Sequence, residues 1–271
     1  MIPFMASRRI ITLTTDFGLA DAYVAIMKGV ILSIAPDAML VDISHQVEPQ
    51  DVREAAYLLW CSYRYFPPDS IHLAVVDPGV GTERRPVAVT APRGLFVGPD
   101  NGIFARALID QGAVDAATGR LLAGSAVILT ESRYWHHPVS QTFHGRDIFA
   151  PATAHLALGT TISALGPDLA SVMVGADDAP THRDGSIYGS IVHIDRFGNA
   201  ISNVAASTIP PRAVVQIGDR ELHGLASNYQ EGQLVALIGS SGMLEVAARN
   251  ASAASVLGLR VGDPLVIRTA P

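Results

Sequence analysis

Residues 10–44 read IITLTTDFGLADAYVAIMKGVILSIAPDAMLVDIS. The β-branched run Ile10–Thr15 reads as a buried strand and ends on Asp16-Phe17-Gly18. Asp21–Ala35 reads as a helix, because Tyr23, Ile26, Met27, Val30, Ile31 and Ile34 fall on one stripe. Pro36-Asp37 stops it, and Met39–Ile43 is a second strand. Working outward, Asp51 caps a helix running to about Tyr63, and Pro67-Pro68 breaks the chain. Further strands are expected at Ile71–Val76, Val87–Ala91, Leu95–Val97 and Ala126–Leu129, with a short helix from Ile103. This strand–helix rhythm predicts an α/β N-terminal domain with a mostly parallel sheet over residues 1–174.

The polar stretch Gly175–Gly185, GADDAPTHRDG, reads as a linker. Beyond it the pattern changes to short strands: Ser186–Ile194, Ala200–Val204, Ala213–Ile217, Gln233–Ile238, Met243–Ala247 and Pro264–Arg268. Gly and Asn turns separate them and no long helix is evident, so residues 186–271 are expected to form a smaller all-β, barrel-like domain.

Composition narrows the function. The 271 residues are 49% hydrophobic and 16% charged, which argues against disorder. No apolar run approaches the roughly 18 residues of a membrane span. A net charge of −6 makes a nucleic-acid footprint unexpected. Lys28 is the sole lysine beside 18 arginines, and the sole cysteine, Cys61, excludes an intramolecular disulfide and a multi-cysteine zinc site. The amino-terminal MIPFMASRR lacks the apolar core of a signal peptide, Met5 is an alternative start, and a cytoplasmic protein is expected.

Ligands of open α/β sheets bind beyond the carboxyl ends of strands, where Asp16, Asp42 and Asp77 stand. Each has an alternative use as an acceptor for backbone N–H groups in its own turn. A carboxylate such as Asp16 can also take both hydroxyls of a ribose. The loop Asp77-Pro78-Gly79-Val80-Gly81-Thr82-Glu83-Arg84-Arg85 lacks the GK[ST] ending of a phosphate loop. Asp77 and Arg84 are spaced to pair across it, as a structural salt bridge or a functional one. In Thr142-Phe143-His144-Gly145-Arg146-Asp147, Asp147 reads as the N-cap of a helix over Ile148–Leu158, which leaves His144 just outside a helix N-terminus. His136 and His137 lack the spacing of a helical metal site. In the C-terminal part, Asn199 sits in the turn Asp195–Asn199, its amide suited to a purine edge or to the turn alone. Tyr229 offers an aromatic face, and Ser240-Ser241-Gly242 a small polar turn.

Seven segments occur together in order: TLTTDFGLADAYVAIMKGVI, VDISHQVEPQDVREAAYLL, HLAVVDPGVGTERRPVAV, FVGPDNGIF, TFHGRDIFAPATAHLALG, HIDRFGNAISN and GSSGMLEVA. In this the chain resembles the S-adenosyl-L-methionine (SAM) hydroxide adenosyltransferases, or SAM hydrolases, relatives of the fluorinase and chlorinase. The resemblance spans roughly residues 10–267. It implies an α/β domain and a β-barrel-like domain, assembled as a homotrimer with sites between the N-terminal domain of one subunit and the C-terminal domain of the next. It implies that SAM and water give adenosine and L-methionine, with SAM as substrate and neither cofactor nor metal. The family's catalytic set falls on Asp77, Arg84 and His144. Asp16 would hold the ribose, with Asp21 counted among the substrate-binding residues. Asn199 would bind adenine, Tyr229 would flank it, and the backbone near Ala248 would meet its edge. Asp195, Ser240 and Ser241 are candidates for the methionine part, and Glu245 for the nucleoside.

The chemistry suits these groups. A sulfonium leaves C5′ as a neutral thioether, so the demand is a desolvated nucleophile placed in line. Asp77 and His144 are expected to orient one water and take its proton, while Arg84 favours developing hydroxide. Alternatives are a non-catalytic adenosine or SAM sensor, a metal hydrolase, and a halogenase. The last is disfavoured by a carboxylate at Asp77, by the missing hydroxyl at Gly145 and by the short Arg93-Gly94-Leu95 connection.

Overall fold

The computed structural model describes residues 9–175 and 179–270, in two compact units divided at residues 177 and 178. The amino-terminal residues around Met5 and part of the expected linker lie outside the described residues.

The first unit holds one six-stranded sheet in the order β2-β1-β3-β5-β4-β6. Its strands are β1 (Ile10–Thr15), β2 (Met39–Ser44), β3 (Ile71–Val75), β4 (Pro86–Ala91), β5 (Gly94–Pro99) and β6 (Ser125–Ile128). Its helices are α1 (Tyr23–Ile34), α2 (Val52–Tyr63), α3 (Ala105–Asp110) and α4 (Ala150–Ala157). From β1 the chain crosses to β2 on one side, then returns past β1 to β3 on the other. Right-handed crossovers therefore put α1 and α2 on opposite faces. α4 packs with α1, and α3 with α2. The reversal of direction opens a crevice between the carboxyl ends of β1 and β3, the usual ligand position of such sheets.

The sheet is mostly parallel, with one reversed strand that makes it mixed. β2, β1, β3 and β5 run parallel, but β4 pairs antiparallel with both β5 and β6. Only Pro92 and Arg93 separate β4 from β5, and a tight hairpin forces antiparallel pairing. The buried stripe of α1 is also rotated from the expected one. Val24, Met27 and Ile31 are buried, whereas Tyr23 and Ile26 are exposed. Asp51 does cap α2, its carboxylate accepting the Glu54 amide at 2.9 Å.

The second unit is a nearly closed antiparallel sheet in the order β11-β10-β14-β8-β9-β13-β12, with β11 against β12. Its strands are β7 (Thr181–Arg183), β8 (Ser186–Ile194), β9 (Ala200–Ala205), β10 (Ala213–Ile217), β11 (Arg220–His223), β12 (Leu234–Ile238), β13 (Met243–Ala248) and β14 (Pro264–Thr269). One short helix, α5 (Ala253–Leu257), starts at Ser252, whose side chain accepts the Ser255 amide. β7 falls inside the stretch read as linker, pairing with β8 through the turn Asp184-Gly185. Ile187, Ile191, Val215, Leu244, Val246 and Ile267 fill the interior of this unit.

Candidate active site

The crevice beyond β1 and β3 is a pocket of about 400 Å³. Asp16 and Phe17 enter it from the end of β1, Val75, Asp77, Pro78 and Val80 from β3 and its loop. Thr142, Phe143, His144 and Gly145 come from the segment ahead of α4, Tyr23 from α1, and Gln50 from the approach to α2.

Asp77 and Arg84 face each other across a tight loop. The Val80 amide donates to the Asp77 carbonyl, and the Thr82 amide and hydroxyl donate to the Gly79 carbonyl. At Gly81, with φ +76°, a Cβ would stand 2.3 Å from the Gln141 carbonyl oxygen, so only glycine lets the loop lie against that segment. Arg84 Nε donates to both Asp77 oxygens at 2.9 Å, and a terminal nitrogen donates to Oδ2. Both side chains are largely buried, and the guanidinium carbon lies 5.1 Å above the Phe149 ring centroid.

The same terminal nitrogen of Arg84 is 2.7 Å from His144 Nδ1. A guanidinium only donates, so Nδ1 is the acceptor and the ring proton sits on Nε2. Burial and the Arg84 charge hold the His144 pKa below the usual histidine range, against opposing contributions from Asp77, Asp147 and the Ser140 backbone. In this arrangement the imidazole is neutral, and its Arg84-facing nitrogen is not open to a proton. The sequence reading, in which His144 shares the water's proton, is modified accordingly.

A wide helical turn over Gly145–Phe149 presents His144, with the Ala150 amide reaching back five residues to the Gly145 carbonyl. Pro151 has no N–H to return to Asp147, and the freed Asp147 carbonyl takes the His136 amide at 2.8 Å. Asp147 is therefore not an N-cap. It is fully buried within this turn, where its carboxylate accepts Arg146 and the Ser140 amide. Wide turns of this kind recur at functional sites.

Asp16 accepts the Gln50 amide at 2.8 Å, with Gln50 in the left-handed region at φ +69°. Asp42 does not face the pocket; it contacts Lys28 and His45. Asp21 is exposed in the turn before α1 and does not line the pocket. Among the described residues no three His, Cys, Asp or Glu side chains are grouped to hold a metal.

The second unit carries its own polar cluster. Asp195 Oδ1 accepts the Phe197 and Asn199 amides, and Oδ2 accepts Asn199 Nδ2, each at 2.9 Å. Asn199 is thereby oriented in its turn. On β13, Glu245 is buried and accepts the Tyr229 hydroxyl at 3.0 Å. Burial raises the Glu245 pKa, and the Asp195 charge adds to this against the Tyr229 hydrogen bond. A Cβ at Gly239 would stand 2.4 Å from Glu245 Oε2, so glycine there makes room for the carboxyl. Ser240 is exposed and Ser241 half-buried in the β12–β13 turn, and Ala248 ends β13.

Comparison with known proteins places both units in one family. Residues 11–166 match the SAM hydroxide adenosyltransferase N-terminal domain, and residues 189–266 match the C-terminal domain. The chain belongs to the SAM hydroxide adenosyltransferase family. A relative from Thermus thermophilus named (R)-S-adenosyl-L-methionine hydrolase is 40% identical over 93% of this chain and 96% of its own. A fluorinase from Nocardia brasiliensis is 27% identical over 96% and 97%. The crystal structure of an uncharacterized conserved protein from Thermotoga maritima superposes with a TM-score of 0.86. It is 31% identical and covers 95% of this chain and 99% of that one.

Within this adenosyltransferase the structure adds residues that sequence reasoning missed. Phe17, Tyr23 and Phe143 form a ring cluster at the pocket, with centroids 5.1–5.8 Å apart. They come from three separate segments, so no local pattern announces them. Phe197, 79% exposed beside Asn199, is a second unannounced aromatic; its turn position gives the signal, since a tight polar turn has no local use for a bare phenyl ring.

Proposed function

We propose that this chain is an enzyme that hydrolyses SAM to adenosine and L-methionine, by in-line attack of water on C5′. The observation that carries the reading is that Arg84 contacts both Asp77 and His144, two residues that line the crevice. The water's oxygen bonds to C5′ as the C5′–S bond breaks, and methionine leaves as a neutral thioether. One water proton stays on the new 5′-hydroxyl and the other passes to Asp77. His144, carrying its proton on Nε2, orients the water, and the Arg84 charge favours its hydroxide character. Positioned proton transfer supplies about 10²–10⁴-fold, and placement and electrostatics supply the rest.

Substrate binding follows the same assignment. Asp16 takes the ribose hydroxyls, Asp195, Ser240 and Ser241 the methionine part, and Asp21 is counted among the substrate-binding residues without a subsite. Asn199, Tyr229, Glu245 and the Ala248 backbone serve the nucleoside, with Phe197 offering a further aromatic face. The exposed apolar side chains of Leu19, Tyr23, Ile26 and Leu32 on and beside α1 support self-association. We take the assembly to be a cytoplasmic homotrimer, in which the N-terminal unit of one copy meets the C-terminal unit of its neighbour. SAM is substrate, and no cofactor or metal is required in this reading.

Incubation with SAM, with and without chloride and with and without chelator, followed by chromatography, tests the proposal. Adenosine and methionine in every sample are expected. Intact SAM would indicate a sensor, 5′-chloroadenosine a halogenase, and loss of product on chelation a metal hydrolase.

A further inference from the structure

Behind the pocket wall, polar side chains run from α1 through β2 to the turn that carries Asp16. Lys28 Nζ is 2.6 Å from Asp42 Oδ2, and Asp42 Oδ1 makes a bent 3.1 Å contact with His45 Nε2. His45 Nδ1 is 2.8 Å from Thr15 Oγ1, which accepts the Phe17 amide at 3.3 Å. The His45 carbonyl accepts the Gly18 amide at 2.8 Å. Thr15 and His45 are both buried.

Thr15 Oγ1 accepts the Phe17 amide and pairs with His45 Nδ1, while His45 Nε2 faces Asp42. The imidazole thus bridges a hydroxyl and an anion, with Lys28 balancing the anion. Burial opposes ionisation of Asp42, but the contacts and charges of Lys28 and His45 together outweigh it and lower its pKa. The backbone is adapted to this contact. Leu13 pairs with Asp42 but Thr14 with Ser44, a register slip that inserts one extra β2 residue. Such bulges re-aim side chains beside active sites.

We infer that His45 is a positioning residue. Through Thr15 it holds the Asp16-Phe17-Gly18 turn in the shape that presents the Asp16 carboxylate and the Phe17 ring to the pocket. This rests on the reading of Asp16 as a substrate-binding carboxylate.

Steady-state kinetics of SAM hydrolysis test it with Thr15→Val, His45→Leu, His45→Asn and, as a control, Asp16→Ala. Thr15→Val and His45→Leu should raise KM about five- to tenfold with kcat within about threefold, because a loosened turn weakens ground-state binding. His45→Asn, whose amide occupies the Nδ1 position, should keep KM within about threefold of the parent. A merely structural role would reduce the active fraction, lowering apparent kcat and leaving KM unmoved. Unchanged KM in Thr15→Val overturns the inference, and this variant decides alone if His45→Leu does not fold. If Asp16→Ala raises KM and Thr15→Val does not, the positioning role falls by itself. If Asp16→Ala leaves KM unchanged, the role of Asp16 falls and takes the inference with it.

Discussion

His72 lies inside the sheet that carries the site, and replacing it with asparagine should flatten the acid limb of stability. It is 1% exposed, enclosed by Tyr63, Phe66 and Phe96, and its Nδ1 meets Thr12 Oγ1 at 2.8 Å, tying β3 to β1. Burial pushes its pKa from 6.5 down to about 4. Between those values the unfolded chain binds a proton that the folded chain refuses, so stability falls as the pH drops through this window. Below about 4 both states are protonated and this loss stops. The slope contributed is roughly 1.4 kcal/mol per pH unit, or about 3 kcal/mol across the window. The asparagine amide retains a partner for Thr12 and does not titrate. Trp60 and Trp135, the chain's two tryptophans, both lie in the first unit, so their fluorescence follows its unfolding in urea. The asparagine variant should be less stable at pH 7.5, and the gap should close toward pH 4.5 as the parent loses more. Other titrating groups, including His144 and His155, act on both proteins and cancel in the difference. Parallel curves over this range would refute the assignment of a buried neutral His72.

Two further outcomes concern catalysis. Asp77→Asn should lower kcat by about 10²–10⁴ while SAM binding, measured by calorimetry, stays within about tenfold; asparagine is chosen over alanine because it leaves Arg84 a hydrogen-bond acceptor in a site where unpaired charge destabilises. Arg84→Met removes one of the two influences that lower the His144 pKa. The acid limb of the residual kcat/KM profile should therefore move to higher pH, and an unmoved limb would argue against the Arg84–His144 contact.

The inner strands were legible because they are short runs of apolar and β-branched residues bounded by turns. The edges were not. β7 and β11 are polar and short, and what makes them strands is a neighbour's backbone. The α1 stripe was misread at Tyr23 because that ring leaves the core for Phe17 and Phe143, a contact between distant segments. Asp147 followed the ordinary cap pattern, but the helix begins earlier, through a wide turn fitted to Pro151. In the site, the spacing of Asp77 and Arg84 across a glycine-containing loop suggested a pair. The side of His144 that meets Arg84, and with it the place of the ring proton, depends on a fold-level approach that no local spacing encodes.

Cationic side chains in this protein are guanidinium groups except at Lys28. Reagents that acylate amines ignore guanidinium, so within the folded chain they have one side-chain target, itself paired with Asp42. Acylation there removes a charge and leaves a mass tag at a known position. The rate of tagging thus reports how often the Lys28–Asp42 pair opens, and a bound nucleoside that stiffens the neighbouring turn would register as protection of a single peptide.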